Sequence, residues 1–591
     1  MHQTEGQIVF TNKARCRDCY RCVRVCPVKA IRMEHGQAFV EPDRCIACGT
    51  CIRECPQGAK AFRDDTGKAA RILAEGGQIA ASVAPSFAAA FSEWERHRLP
   101  SALRQLGFTY VGETAIGAYH VAAKTAQIVA QEPEGSHVCS ACPAVVSYIE
   151  AYEPELVDRI TPVVSPMIAH AGHIREHLGP EAKVIFIGPC VAKKAEAERA
   201  EVEGLVDCVL TFRELTEWLQ REGIDLQKLE ESDFDEEPEG DARFFPVEGG
   251  SLRTAELNAD LLAANSVAVC GFDELQQAFS ALRDDRSPVL VEPLFCPSGC
   301  VGGPGVPREQ NLYDRRRELI SYAGAHRGRT PGEAWDDGIL LTQFGPREVP
   351  GRQEVAEEEI RRVLALTGKT SPEDELNCGA CGYASCREKA IAVIRGMAEP
   401  EMCIPYMRRL AEQRTDRIIE TSPNGIVIVD DRLNIISMNP AFRRYFMCTE
   451  AVLGKRVSYL MDPDPFERVV SGAESIVETV TRHEKYHIVC HQIIYPLPEE
   501  NQYVGIFVNI TRSQADREKL DHLRAQTITQ AQELLEHQID MAQRIGQFLG
   551  ESAAQGERLV ENLMNMARSE QQSGPEEEGD RWPRNTYTSR S

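Results

Sequence analysis

The sequence has no run approaching the ~18 uninterrupted apolar residues of a membrane-spanning helix. It also lacks any excess of cations: 66 Lys and Arg stand against 90 Asp and Glu, a net charge of −24. That balance argues against nucleic acid, because binding phosphates needs clustered positive charge. It suits partners that present basic patches. The opening MHQTEGQIVF shows neither the charged-then-apolar order of an export signal nor a twin arginine, so a reducing cytoplasm is the expected compartment. A Gly-rich phosphate loop and an ATP-binding kinase module are missing as well, so any output is expected to act through a partner.

What is abundant is cysteine. The 591 residues, enough for three or four domains, contain 21 Cys, and 42 % of the chain is hydrophobic, as in proteins with real cores. Most Cys fall in tight C-x-x-C groups, which in a reducing compartment point to metal rather than disulfides.

The first 62 residues carry two near-identical blocks, Cys16, Cys19, Cys22, Cys26-Pro27 and Cys45, Cys48, Cys51, Cys55-Pro56. Each reads C-x2-C-x2-C-x3-C-P. This is the spacing for two 4Fe–4S clusters in which the fourth Cys of each block crosses to the other cluster. It assigns Cys16, Cys19, Cys22 and Cys55 to one cluster, and Cys45, Cys48, Cys51 and Cys26 to the second. Zinc sites use separated pairs rather than triplets. The module resembles bacterial two-cluster ferredoxins, which move single electrons.

Residues 75–350 alternate short apolar runs (IAASVAP, KVIFIGP, DCVLTF, SVAVCGF, PVLVEPLF) with amphipathic helical stretches such as RELTEWLQRE. That pattern predicts an α/β domain with ligands at strand ends. Cys208 and Cys270, inside such runs, are expected to be core thiols. The acidic stretch from Glu230 to Asp241 reads as a solvated loop, with a docking surface as the alternative.

Three segments of this domain, SHVCSACPAVV, FIGPCVAKKAEAE and EPLFCPSGCVGGPGVP, resemble in order the signatures TSCCP, MPCxxKxxE and ExMACxxGCxxGG of the iron–iron hydrogenases. The resemblance implies a 4Fe–4S cubane held by Cys142, Cys190, Cys296 and Cys300. It further implies that Cys300 bridges to a diiron unit carrying CO, cyanide and an azadithiolate: together, the H-cluster. Lys193 falls on the lysine that contacts one cyanide, and Ala84-Pro85-Ser86 on the segment whose Ser donates to the other. Gly302 and Gly303 would let backbone approach closely.

The departures carry a second expectation. Ala141 stands where the family has its proton-relaying Cys, Cys139 stands for Thr, and Gly188 and Leu294 replace two Met. Gln127 or Ile128 falls near a relay Glu, while Glu196 matches the Glu of the second signature. Losing a positioned acid or base typically costs ~10²–10⁴ in rate, so slow turnover of H2 is expected. His137 or Cys139 could offer another proton route; a structural role is favoured for both.

Residues 353–410 contain Cys378, Cys381, Cys386 and Cys403 in C-x2-C-x4-C-x16-C spacing, resembling a small 4Fe–4S domain, with zinc as the alternative. Its place in the sequence, ahead of the C-terminal half, suggests onward relay of a redox signal. Residues 411–512 resemble a PAS domain through ETSPNGIVIVDD, NIISMNPAF and the closing Asn509-Ile510-Thr511. PAS domains sense, relay and often pair. His483, His487 and His491 are candidate haem ligands, but strand histidines are the favoured reading, and Cys448 and Cys490 look structural. Residues 513–568 show near-heptad spacing that fits a coiled coil or a single amphipathic helix, and residues 569–591 read as a disordered tail.

The expected whole is a multidomain α/β and α+β protein: ferredoxin-like module, hydrogenase-type domain, small 4Fe–4S domain, PAS and C-terminal helix. The expected function is a hydrogen sensor of low turnover, with a ferredoxin-type electron carrier, a kinase or phosphatase and a second copy of the chain as partners. The alternatives are a working ferredoxin-linked hydrogenase with a regulatory PAS domain, and an iron–sulfur sensor of redox state or oxygen without diiron.

Overall fold

The computed structural model describes residues 6–257, 265–283, 289–307, 310–325, 335–351, 354–497 and 501–511. The expected coiled coil and tail lie outside them. The chain divides into two units, residues 1–404 and 405–591.

The first unit opens with an internal repeat. Val9–Thr11 pairs antiparallel with Lys60–Phe62, and Ile31–Glu34 with Gln37–Val40. Two one-turn helices, Arg21–Val25 and Thr50–Glu54, each start after a residue in the left-handed region, Tyr20 (φ 55°) and Gly49 (φ 73°). Those turns fold each Cys triplet back on itself.

The central domain holds two parallel sheets. One has the order Tyr110–Glu113, Ile79–Val83, Lys183–Gly188, Cys208–Thr211. The other has Ser266–Cys270, Leu290–Leu294, His137–Val138. All five apolar runs read from sequence are strands. Tyr110–Glu113 and His137–Val138 were not legible as such: both are short, and their partners are distant in the chain. The helix Phe212–Arg221 begins at a capping box between Thr211 and Glu214.

One expectation is corrected here and one is extended. Cys270 is not a core thiol: it is only partly buried, its Sγ 3.2 Å from Glu248 Oε2. Cys208, by contrast, is buried in the main core. The acidic stretch is the expected loop, with Glu230, Glu231, Asp233, Asp235 and Glu237 exposed, and it is also bonded to the central domain. Asp235 exchanges backbone and side-chain bonds with Val111, accepting from its N–H at 2.6 Å and donating to its carbonyl at 2.9 Å. Glu236 accepts from Tyr110 Oη at 3.0 Å. The segment therefore straps the open edge of the four-stranded sheet, a position where unpaired backbone groups need cover.

Further along, Glu357–Leu366 packs on Cys386–Ile394 around Ile360, Val363, Leu364 and Ala390. This small domain reaches back to the N-terminal module: Met33 N–H donates to Met397 O at 3.0 Å, and His35 N–H to Glu399 Oε1 at 2.7 Å.

The second unit is a five-stranded antiparallel sheet in the order Ile435–Met438, Gly425–Val429, Gln502–Asn509, Ile488–Leu497, Val477–His483. Asn439 ties the strands to the helix Pro440–Tyr445: its Oδ1 accepts from Ile426 and Phe442 N–H, and its Nδ2 donates to Ile419 and Asn424 carbonyls. Phe442, Phe446, Phe466 and Phe507 are fully buried and fill the interior. His491 pairs with Glu478 at 2.8 Å, His483 lies edge-on to Phe446, and His487 occupies a left-handed turn. Cys490 is in the same core, and Cys448 Sγ rests 3.9 Å from Met438 Sδ.

Candidate functional site

Parallel strands deliver their carboxyl ends to one side of a sheet, and loops leaving those ends are where α/β proteins bind ligands. Four such exits carry chemistry here. Val83 leads into Pro85–Ala89, Gly188 into Pro189-Cys190, Leu294 into Phe295-Cys296, and Val138 into the segment that ends at Cys142. Cys142 caps the helix Pro143–Tyr152. Cys300 sits in the turn Gly299–Gly302, where its N–H donates to Pro246 O at 2.7 Å.

These four thiols, drawn from segments up to 158 residues apart by number, lie close enough to perturb one another. Burial pushes the Cys190 thiol up to about 12, with Cys142 adding to it. Burial likewise raises Cys296, with Cys190, Cys142 and Cys300 contributing, and raises Cys300, with Cys142 and Cys190 contributing. The cations in reach are Lys193, beside Cys142, Cys190 and Cys300, and Arg53, beside Cys296. Partly buried free thiols within electrostatic reach of one another, with two cations to offset thiolate charge, fit a metal cluster rather than a packed apolar core.

The other expected residues gather around them. Ser86 Oγ is fully buried with no hydrogen-bond partner among the described residues. A hydroxyl in that state costs free energy unless a ligand accepts its hydrogen bond, so Ser86 fits a bound acceptor at this point. Pro85 starts the short helix that aims Ser86. Lys193 Nζ is 2.7 Å from Glu196 Oε2, which gives Glu196 a partner. Gly303 admits close packing: a Cβ there would lie 2.6 Å from Pro189 O and 2.9 Å from Cys300 O. Gly188 is equally constrained, its Cβ position 2.6 Å from the Phe186 ring and 3.1 Å from Ala84 Cβ. Phe186 thus fills the space that a longer side chain at 188 would need. Ala141 packs on the main core and offers no titratable group.

The alternative proton routes read as structure. His137 is buried and its Nε2 lies 3.1 Å from Glu132 O. Cys139 packs with Leu252 and Leu290, and burial beside Glu292 raises its thiol. Gln127 is bound to Lys124 at 3.1 Å.

In the N-terminal module, Cys16, Cys19, Cys22 and Cys55 line one pocket. Cys26 stands with the other triplet: it perturbs Cys45 and Cys51, and Cys48 perturbs it. This second set faces the central domain. Cys48 is in reach of Cys142, Arg53 is in reach of both Cys48 and Cys296, and Gly49 packs so tightly on Pro304 that a Cβ would lie 2.5 Å from its Cγ. In the small domain, Cys381 is in reach of Cys378 and Cys403, Cys386 opens its helix, and Lys369 Nζ is 3.2 Å from Cys403 Sγ. Lys369, and the reach of Arg53 to Cys296, carried no sequence signal, because these partners are remote from one another in the chain.

Known proteins share these parts. Residues 77–304 match the family described as iron only hydrogenase large subunit, C-terminal domain. Residues 8–56 match a 4Fe-4S dicluster domain, 374–405 an Fe-S cluster family and 413–481 a PAS domain. The cytosolic Fe-S cluster assembly factor NAR1 of Kluyveromyces lactis is 26 % identical over 286 residues, 35 % of this chain and 61 % of that protein. Iron hydrogenase 1 of Clostridium pasteurianum is 28 % identical over 285 residues, 40 % of this chain and 50 % of that one. A NAR1 protein of Vanderwaltozyma polyspora is 38 % identical over 89 residues, 15 % of this chain and 17 % of its own. The chain thus spans less than two thirds of the length of these relatives. Among solved structures, a variant of FeFe-hydrogenase HydA1 from Chlamydomonas reinhardtii aligns with a TM-score of 0.39 at 17 % identity, covering 48 % of this chain and 99 % of that one. No helix among the described residues is long and apolar enough to cross a membrane. Residues 77–304 thus match the C-terminal domain of iron only hydrogenase large subunits, within a chain whose other segments match a 4Fe–4S dicluster domain and a PAS domain.

Proposed function

We propose that this protein binds hydrogen at a hydrogenase-type H-cluster, oxidises it slowly and reversibly, and passes the resulting redox state to its PAS domain. The observation that carries the reading is the meeting of Cys142, Cys190, Cys296 and Cys300 beside Lys193 and the unpartnered Ser86 Oγ. Those Cys would hold a 4Fe–4S cubane, with Cys300 shared with a diiron unit that supplies the hydrogen chemistry when bound. Lys193 and Ser86 would meet the negative charge of cyanide ligands, where a buried cation and a donor are most effective. Ala141 cannot hold a proton, which supports low turnover, since a missing acid or base typically costs ~10²–10⁴ in rate. The Cys45 set beside the site and the Cys16 set behind it would serve as the electron relay, open to a ferredoxin-type carrier. A kinase or phosphatase and a second copy of the chain, engaged through PAS and the C-terminal helix, would complete the signalling path.

A second reading is favoured by the NAR1 similarities, one of which reaches 38 % identity: an iron–sulfur assembly factor built on the same fold, without diiron. Infrared spectroscopy of matured protein, with and without hydrogen, tests both. Bands of CO and cyanide that shift under hydrogen are expected. Their absence after maturation would sink the sensor reading, and hydrogen turnover at ordinary hydrogenase rates would replace it with a working enzyme.

A further inference from the structure

The two halves of the N-terminal repeat differ at Lys29 and Gly58, as they do at Tyr20 and Gly49. After each Cys-Pro the chain turns through a left-handed residue: Gly58 (φ 57°) in the second half and Lys29 (φ 48°) in the first. The surrounding geometry is the same, with Ala30 N–H 3.3 Å from Cys26 Sγ and Ala59 N–H 3.3 Å from Cys55 Sγ. Glycine adopts this conformation freely, whereas a lysine there carries a conformational cost. Something must offset it.

The Lys29 side chain joins two domains. Its Nζ donates to Val23 O at 3.1 Å and Arg24 O at 3.2 Å on one side, and to Gly382 O at 2.8 Å on the other. Arg24 repeats the motif, donating to Cys19 O at 2.9 Å and to Ala380 O at 3.0 Å. Gly382 lies so close to the helix Arg21–Val25 that a Cβ would sit 2.8 Å from Val23 Cγ1 and 3.1 Å from Arg24 N. The loop carrying Cys378, Cys381 and Cys386 is therefore seated on a helix whose two ends supply Cys22 to one ferredoxin set and Cys26 to the other. Lys29 is within electrostatic reach of both Cys26 and Cys381, and so is Tyr383.

We propose that Lys29 is a positioning residue that docks the Cys378–Cys403 set on the ferredoxin module and favours passage of one electron between it and the Cys26, Cys45, Cys48, Cys51 set. The inference rests on the reading that both sets hold 4Fe–4S cubanes. The exchange is a one-electron oxidation of one set and a one-electron reduction of the other, with no bond or proton change; hydrogen or dithionite supplies the electrons. A fixed cation beside both sets stabilises the added negative charge of either reduced state. Electrons would then reach the Cys378–Cys403 set through the ferredoxin module.

The test uses the full-length, iron-loaded protein, reduced in steps with dithionite and followed by electron paramagnetic resonance. Lys29→Gly copies the sister repeat and keeps the turn. It is expected to retain its iron and sulfide while the midpoint potentials of both sets move negative; Lys29→Arg should recover the wild-type values. Gly382→Ala, which pries the loop from the helix, should lose the magnetic broadening between the two reduced sets. Wild-type potentials in Lys29→Gly, or persistent broadening in Gly382→Ala, would overturn the proposal. If wild-type iron content equals that of a Cys381→Ser/Cys403→Ser variant, the cluster reading itself falls, and the proposal with it.

Discussion

Lys194 Nζ lies 2.7 Å from Asp65 Oδ2, with no solvent exposure of the lysine side chain. Asp65 follows the last strand of the N-terminal module, and Lys194 sits in the helix Ala192–Glu196 just past Cys190. Glu214 closes the triad at 2.8 Å from the same Nζ, and Asp65 N–H donates to it. The module that holds eight cysteines is thus fastened to the segment that presents Cys190. Removing one member of a buried charged set leaves the others uncompensated, typically at a cost of ~3–5 kcal/mol. Lys194→Met is expected to lose stability on that scale in chemical denaturation, and to lose less when Asp65→Asn and Glu214→Gln are added.

Ala141→Cys should raise hydrogen turnover of the matured protein, by at most the ~10²–10⁴ that a positioned acid or base supplies. The comparison is steady-state hydrogen oxidation in wild type and variant at equal diiron content. No gain would mean that proton transfer at this position does not limit the rate.

Gly188→Ala should destabilise the protein by about 1–3 kcal/mol, the usual cost of overpacking. The added Cβ would press on the Phe186 ring and on Ala84, which leads into Pro85 and Ser86. Phe186→Leu in the same chain should return most of the loss, read as the unfolding midpoint.

The strap contact gives a pH dependence. The hydrogen bond from His173, seconded by His173 charge and Tyr110, holds the Glu236 carboxyl down at about 2. A carboxyl whose folded value lies below its ordinary 4.5 stabilises the fold fully above that value, and the gain fades as pH falls toward 2. Glu236 is only half-buried, so the effect should stay below ~1 kcal/mol. The melting-point deficit of Glu236→Gln should shrink as pH falls from 5 toward 3; a deficit that grows over that interval would reject the assignment.

Much of this protein can be read from its letters. Each C-x2-C-x2-C-x3-C-P block keeps its own triplet together, because Cys16 to Cys22, like Cys45 to Cys51, spans only seven residues. The five apolar runs of the central domain are long and β-branched enough to commit to strands without help. The PAS sheet follows from alternation and from Asn439 at the start of a helix.

Other features depend on partners that no local pattern reveals. The edge strand Tyr110–Glu113 pairs with Ile79–Val83 on one side and meets, at Val111, an acidic segment 124 residues later on the other, so a stretch that is solvated by its charge is also held by backbone donors and His173. Cys270, apolar by its neighbours, meets Glu248 because strand and loop converge in space. The sequence by itself determined which residues have metal-ligand chemistry and which segments become strands, since both are set by residue type over a few positions. Only the tertiary structure decided that Cys48 faces Cys142 and that Lys29 reaches Gly382 across 353 positions: those contacts form when whole domains dock, and docking is fixed by the shapes of packed surfaces rather than by any one stretch of chain.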